Sequence, residues 1–132
     1  MRRLAVDVQP GEYVVARLAP DAPTPAGLLD PREPALVSVT RTPQELSVIC
    51  PAELTPAGAK VESGWRLLTV RGPLAFTLTG IIAALSGELA AAGVALFSLS
   101  TFETDHLLVK AEELARAVDT LRASGHEVAL DA

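Results

Sequence analysis

Two places in this sequence carry residue types that could do chemistry. The first is Thr101-Phe102-Glu103-Thr104-Asp105, lying between the apolar runs "ALFSLS" and "HLLVK". The runs are short and β-compatible, so they read as strands joined by a tight turn. Such turns favour Gly, Asn or Pro for backbone reasons. This one offers an aromatic ring and two carboxylates instead. Asp105 borders an apolar strand and so stands at a sheet rim, where a carboxylate can face a cation. Glu103 stands mid-turn and reads as solvated. The second place is "GPLAFTLTG", residues 72–80, which opens an apolar helix without any acid. Unsatisfied N–H groups at such a helix start attract anions. Carboxylates Glu112 and Glu113 open the other helix and neutralise its dipole from within.

Together the two places offer both signs of charge, which suits a free α-amino acid, and Phe102 could form an apolar wall. Blander readings stand beside this one. Thr77 or Thr79 could simply cap the helix, and the turn could be solvated with Phe102 tucked into the core.

The elements that must position these groups read as follows. Strands are expected at 4–8 and 12–18, joined by "QPG", and at 35–41 and 45–50, a hairpin around "TPQ". Residues 19–34 hold five prolines and allow one helical turn at most. Residues 51–64 read as a connector with one helical turn at its start. A strand at 65–72 follows. Leu78, Ile81, Ile82, Leu85 and Leu89 recur at spacings of three and four and predict a helix over 77–92, stopped by Gly93. Strands at 94–100 and 106–110, a helix at 111–124 and a strand at 126–130 complete a β-α-β-β-α-β order, the ferredoxin-like pattern. The N-terminal half resembles a shortened copy of that unit. The expected class is α+β, with modules at 1–62 and 63–132.

Bulk properties narrow the function classes. A chain of 132 residues with 49% hydrophobic content has material for a core. A net charge of −5 argues against nucleic acid or an anionic membrane as partner. No apolar run predicts a membrane span or signal peptide, and the single Cys50 forbids an intrachain disulfide; a cytoplasmic protein is expected. Cys50 reads as a packed small hydrophobe. His106 and His126 lack ligand-spaced neighbours, so no metal is expected. No cofactor fingerprint and no nucleophile–base pair appears, so no cofactor and no enzymatic activity are expected.

The motifs "SVTRTPQELSVIC" (38–50), "GWRLLTVRGPLAFTLTGI" (64–81) and "SLSTFETDHLLVK" (98–110) resemble the small tandem ACT-domain proteins, bacterial relatives of the cytosolic arginine sensors called CASTOR proteins. The resemblance covers nearly the whole chain and is strongest from Ser38 onward. It implies two ACT-like modules, a non-catalytic regulatory role, an amino-acid ligand at a module interface and a homodimer. By motif, it implies ligand contacts from Gly72 and Pro73, from Thr79, Gly80, Ile81 and Ile82, and from Thr101, Phe102 and Asp105. Ser38, Val39 and Thr40 are the implied partner surface of the N-terminal module. One departure bears on the ligand. Arginine-binding members place an acid near the helix start, where this chain has Thr77-Leu78-Thr79, which counts against arginine. The rival class is an oligomerisation or adaptor module with a vestigial pocket.

Overall fold

The computed structural model describes residues 3–72 and 80–130. Among these residues the order is β1 (Ala5–Val8), β2 (Tyr13–Leu18), β3 (Ser38–Arg41), β4 (Leu46–Pro51), β5 (Lys60–Val70), α1 (Ile81–Ala91), β6 (Leu96–Ser100), β7 (Asp105–Lys110), α2 (Leu114–Ala123) and β8 (Glu127–Ala129). Single 3₁₀ turns lie at Ala52–Leu54 and Ala111–Glu113. The chain forms two compact units, a major one from residues 1–10 with 66–132 and a minor one from residues 11–65. These units differ from a division at 62/63 in that residues 1–10 join the major unit and residues 63–65 the minor one.

In the major unit β1 runs antiparallel to the second half of β5, with Val6 opposite Val70 and Val8 opposite Leu68. Its other side pairs in parallel with β8, Val6 opposite Val128. Strand β7 pairs with β5, and β6 pairs with β7. Every second strand residue (Val6, Val8, Leu68, Val70, Leu107, Val109) faces one apolar core with Ile81, Leu85 and Leu89 of α1 and Ala117, Val118 and Leu121 of α2. Each fully buried leucine contributes roughly 1.5–3 kcal/mol by leaving water. Fold class is therefore α+β with a ferredoxin-like helix-on-sheet layer. In a minimal unit of this kind the closing strand lies beside the opening one; here β1 occupies that place.

His126 ties three parts of the unit together. The Leu4 N–H donates to its Nδ1 at 3.1 Å, while Nε2 lies 3.3 Å from Glu88 Oε1 on α1. An Nδ1 that accepts must leave the ring proton on Nε2, which then donates to the carboxylate.

The minor unit is an antiparallel sheet in the order β3-β4-β2 and the first half of β5. Val14, Ala16, Val48 and Cys50 line one face and pack with Leu28 from the proline-rich loop. Arg41 holds that loop by donating to the carbonyls of Pro20 and Ala22. The opposite face carries Arg17 opposite both Lys60 and Ser47, with Thr40 opposite Ser47.

Three expectations need correction. Strands β1 and β2 do not form a hairpin around "QPG"; both run antiparallel to β5, along different halves of its 11 residues. Residues 60–64 are strand rather than connector, because pairing with β2 satisfies a backbone whose side chains, such as Lys60 and Glu62, gave no apolar alternation. The described part of the first helix begins at Ile81, not 77; Gly80 precedes it with φ 79°, a left-handed conformation that interrupts a right-handed helix. Residues 77–79 lie outside the described residues.

Candidate functional site

The turn between β6 and β7 spans four residues, since Ser100 stands opposite Asp105. Four-residue loops are usually built on a type I turn and need no positive φ. That explains the missing glycine. Threonines take over the stabilising role. The Thr101 N–H donates to the Thr104 carbonyl at 2.9 Å, and the Thr101 hydroxyl donates to the same oxygen at 3.3 Å. Thr104 is 9% exposed, and its hydroxyl donates to the Val70 carbonyl at 2.6 Å. This bond fastens the turn to the end of β5, beside Gly72. Thr104 is a residue that sequence reasoning passed over. Its signal was the Thr-x-x-Thr spacing, which lets two β-branched hydroxyls bond locally and across strands.

Around this anchor the candidate residues fall into groups. The Ser100 hydroxyl donates to Asp105 Oδ1 at 2.5 Å, and the half-buried carboxylate keeps Oδ2 for another partner. Phe102 is 76% exposed, so the reading that tucks it into the core is wrong. The helix start contributes backbone only: Ile81 is 8% exposed and Ile82 packs against the core, so their side chains face inward. The first turn of α1 holds no acid, and Gly80 has no side chain with which to cap it. Ile81 and Val70 belong to one core cluster. Pro73 and Thr79 lie outside the described residues. Ser38, Val39 and Thr40 form β3 of the minor unit. Thr40 is exposed and Ser38 stands on its face, opposite Ile49, whereas Val39 turns to the core.

Two further polar groups stand nearby in the sheet. His106 Nδ1 lies 3.0 Å from Thr69 Oγ1. Burial pushes the imidazole below its ordinary range, and the Asp105 charge opposes that shift. On β1, Asp7 holds Arg71 through two contacts, 3.2 Å to Nε and 2.5 Å to Nη2. In the minor unit, burial raises the Cys50 thiol to about 11, helped by the charge of Glu53. A thiol so held is a packing group at neutral pH. Among the described residues no group of His, Cys, Asp and Glu could hold a metal ion, and no helix is long and apolar enough to cross a membrane.

The major unit is a helix-on-sheet core of five strands, β8-β1-β5-β7-β6, and residues 60–123 match the ACT domain family. Residues 11–58 match a second family model, described as an N-terminal domain. The chain belongs to the same family as protein Atu0741 of Agobacterium tumefaciens, whose crystal structure it matches over 100% of this chain and 96% of that one, with 34% identity and a TM-score of 0.90. The regulatory subunit of aspartate kinase from Thermus thermophilus shares the fold, at a TM-score of 0.60 and 15% identity over 92% and 95% of the two chains. Subunit 1 of the cytosolic arginine sensor for mTORC1 from Rattus norvegicus is 41% identical over 59 residues, which is 44% of this chain and 18% of the rat protein.

Proposed function

We propose that this chain is a non-catalytic regulatory module that binds a free amino acid at an ACT-module interface, in the cytoplasm and as a homodimer. The single observation carrying the reading is the acid-free start of α1 at Gly80–Ile82; the Thr101–Asp105 turn is fastened by Thr104 to the end of β5, whose Val70 shares a core cluster with Ile81. The helix N–H groups would take the ligand carboxylate. Asp105, held by Ser100, would take the ammonium. The match of residues 60–123 to the ACT domain family supports a regulatory role, as does the likeness to a relative named an arginine sensor. The ligand side chain is left open, and Thr77-Leu78-Thr79 argues against arginine. The residues proposed to surround the ligand are those the motifs singled out, including Gly72, Pro73 and Thr79.

Thermal melts with each of the twenty amino acids at millimolar concentration test the reading. A ligand at a hundredfold excess over its Kd stabilises by about 2.7 kcal/mol, so at least one melt should rise clearly. A flat panel, confirmed by calorimetry, would favour the second reading, an adaptor module with a vestigial pocket. The 76% exposure of Phe102 is what speaks for that alternative, because a large exposed ring at a turn tip suits a protein partner.

A further inference from the structure

We propose that His126 is an acid-released latch on the seam between β1 and β8: a second proton on its ring expels the Leu4 amide and opens that seam, while the rest of the major unit stays folded.

The ring is committed at both nitrogens. The His126 side chain is 1% exposed and the Glu88 side chain beside it 12%. Nδ1 accepts the Leu4 N–H at 3.1 Å. Nε2 lies 3.3 Å from Glu88 Oε1 and 3.2 Å from Oε2. Only the neutral ring, with its proton on Nε2, satisfies both neighbours. An imidazolium carries donors at both nitrogens. Its Nδ1–H would point at the Leu4 N–H, and neither group could accept. Leu4 is buried, so its amide has to move to find another acceptor. The ring itself stays, because Glu88 holds the imidazolium through a charge-assisted bond.

The seam is short enough to give way. Strand β8 has three residues, and among the described residues it pairs with β1 alone. Strand β1 has four. Leu4 closes the foot of the pair: its carbonyl accepts the Glu127 N–H at 2.9 Å, just where β8 begins. Displacing Leu4 therefore loosens both bonds at that end. The remainder of β1 is held on its other side by β5, with Val6 opposite Val70 and Val8 opposite Leu68.

The surrounding charges are engaged elsewhere. Arg122 of α2 donates to the Val128 carbonyl at 2.8 Å. Arg3 pairs with Glu127 of β8 at 3.3 Å on the exposed surface. Asp7 of β1 turns to the other face of the sheet and pairs with Arg71 at 2.5 Å. Glu88 of α1 is the charge that touches the ring.

Amide exchange followed by NMR, together with long-range proton–nitrogen spectra of the imidazole, tests the latch on the whole chain. Protection is taken relative to the unfolded-chain rate at each pH. Between about pH 8 and about pH 5 the ring should gain its second proton. The Leu4 and Glu127 amides should then lose protection about tenfold to a hundredfold, the effect of leaving one buried amide unpaired. Those of β7 should keep theirs. His126→Asn retains an oxygen acceptor where Nδ1 stood and cannot take up the proton, so its Leu4 amide should stay protected throughout. Four results overturn the latch: a ring that stays singly protonated across the range, a doubly protonated ring with Leu4 still protected, an equal loss of protection in β7, or the same loss at Leu4 in His126→Asn. Should His126→Asn not fold, the wild-type ring and amide spectra decide alone.

Discussion

Helices α1 and α2 are nearly equal in length and give three buried residues each to one core, yet their other features diverge. Two glutamates stand just before α2, and Arg116 pairs with Glu113 at 3.4 Å. A left-handed glycine opens α1, with no acid in its first turn, and alanine and glycine cover its outward face. The inner faces agree because one core dictates both. Outer faces answer to whatever lies outside. The charged face of α2 is what water asks of a helix, and α1 departs from that at its start and along its flank. The N-terminal end is where the ligand is proposed.

The largest effect should fall where the helices agree. Leu85→Ala in α1 and Leu121→Ala in α2 each remove a side chain with 0% exposure. Each should cost about 2–5 kcal/mol in urea unfolding. A loss below about 1 kcal/mol in either would mean that helix is peripheral, and the shared-core half of the comparison would fail.

Next comes the Thr101–Asp105 turn, proposed to share the ligand with the start of α1. Asp105→Asn keeps the shape and removes the charge. A charge-assisted hydrogen bond is worth roughly 1.5–3 kcal/mol, so amino-acid affinity should fall about tenfold to a hundredfold by calorimetry. Glu103 is exposed, and Glu103→Gln should change affinity little. If Glu103→Gln is the more damaging, the proposed role of the turn is wrong.

Two glycines on α1 sharpen the contrast within one helix. Gly80 has φ 79° with open space around its Cβ direction. The cost of Gly80→Ala is therefore backbone strain alone, about 1–2 kcal/mol in thermal or urea melts. Gly80→Asn should be milder, because Asn visits this region more readily. Gly87 has ordinary helical backbone and equal room, so Gly87→Ala should stabilise the fold by about 0.5–1 kcal/mol. Equal signs for the two Ala variants would contradict the left-handed start of α1.

Smallest is a pH effect that separates the units. Burial depresses the His106 imidazole in the major unit. The unfolded chain then takes up a proton at higher pH than the folded one. The contribution of His106 to stability is present above the ordinary histidine range and is lost as pH falls through the folded value. Cys50 in the minor unit runs the other way. Its thiol is raised from 9.0 to about 11, so stability is full below the unfolded value and declines as pH rises from there toward the folded one. Denaturant melts of His106→Gln should lose part of the acid decline, and those of Cys50→Ala part of the alkaline decline. Native Cys50 should also resist thiol reagents at neutral pH.

Much of the fold was legible because periodicity reports burial directly. Leu85 and Leu89, and Val118 and Leu121, recur at helical spacing and face the core. The runs at 94–100 and 106–110 announced the β6–β7 hairpin. The site was legible only in part. Residue types suggested Asp105 and the helix start, but Thr104 looked like one more turn residue until its hydroxyl met the Val70 carbonyl. That bond spans 34 positions, and no local pattern encodes it.

Sequence by itself determined the class of elements, their order through the C-terminal half, the acid-free start of α1 and the charge that disfavours nucleic acid. Those properties are local: they follow from side-chain types at fixed spacings and from sums over the chain. The tertiary structure alone decided which distant strands became neighbours. Strand β1 left its sequence neighbour β2 and stood between β5 and β8. Strand β5 began at Lys60 because β2 was there to pair with it. His126 was drawn inward to accept from the Leu4 amide, 122 positions away. Strand pairing satisfies hydrogen bonds between distant segments, and every backbone carries the same N–H and C=O groups. The choice of partner is therefore made by the packing of the whole unit.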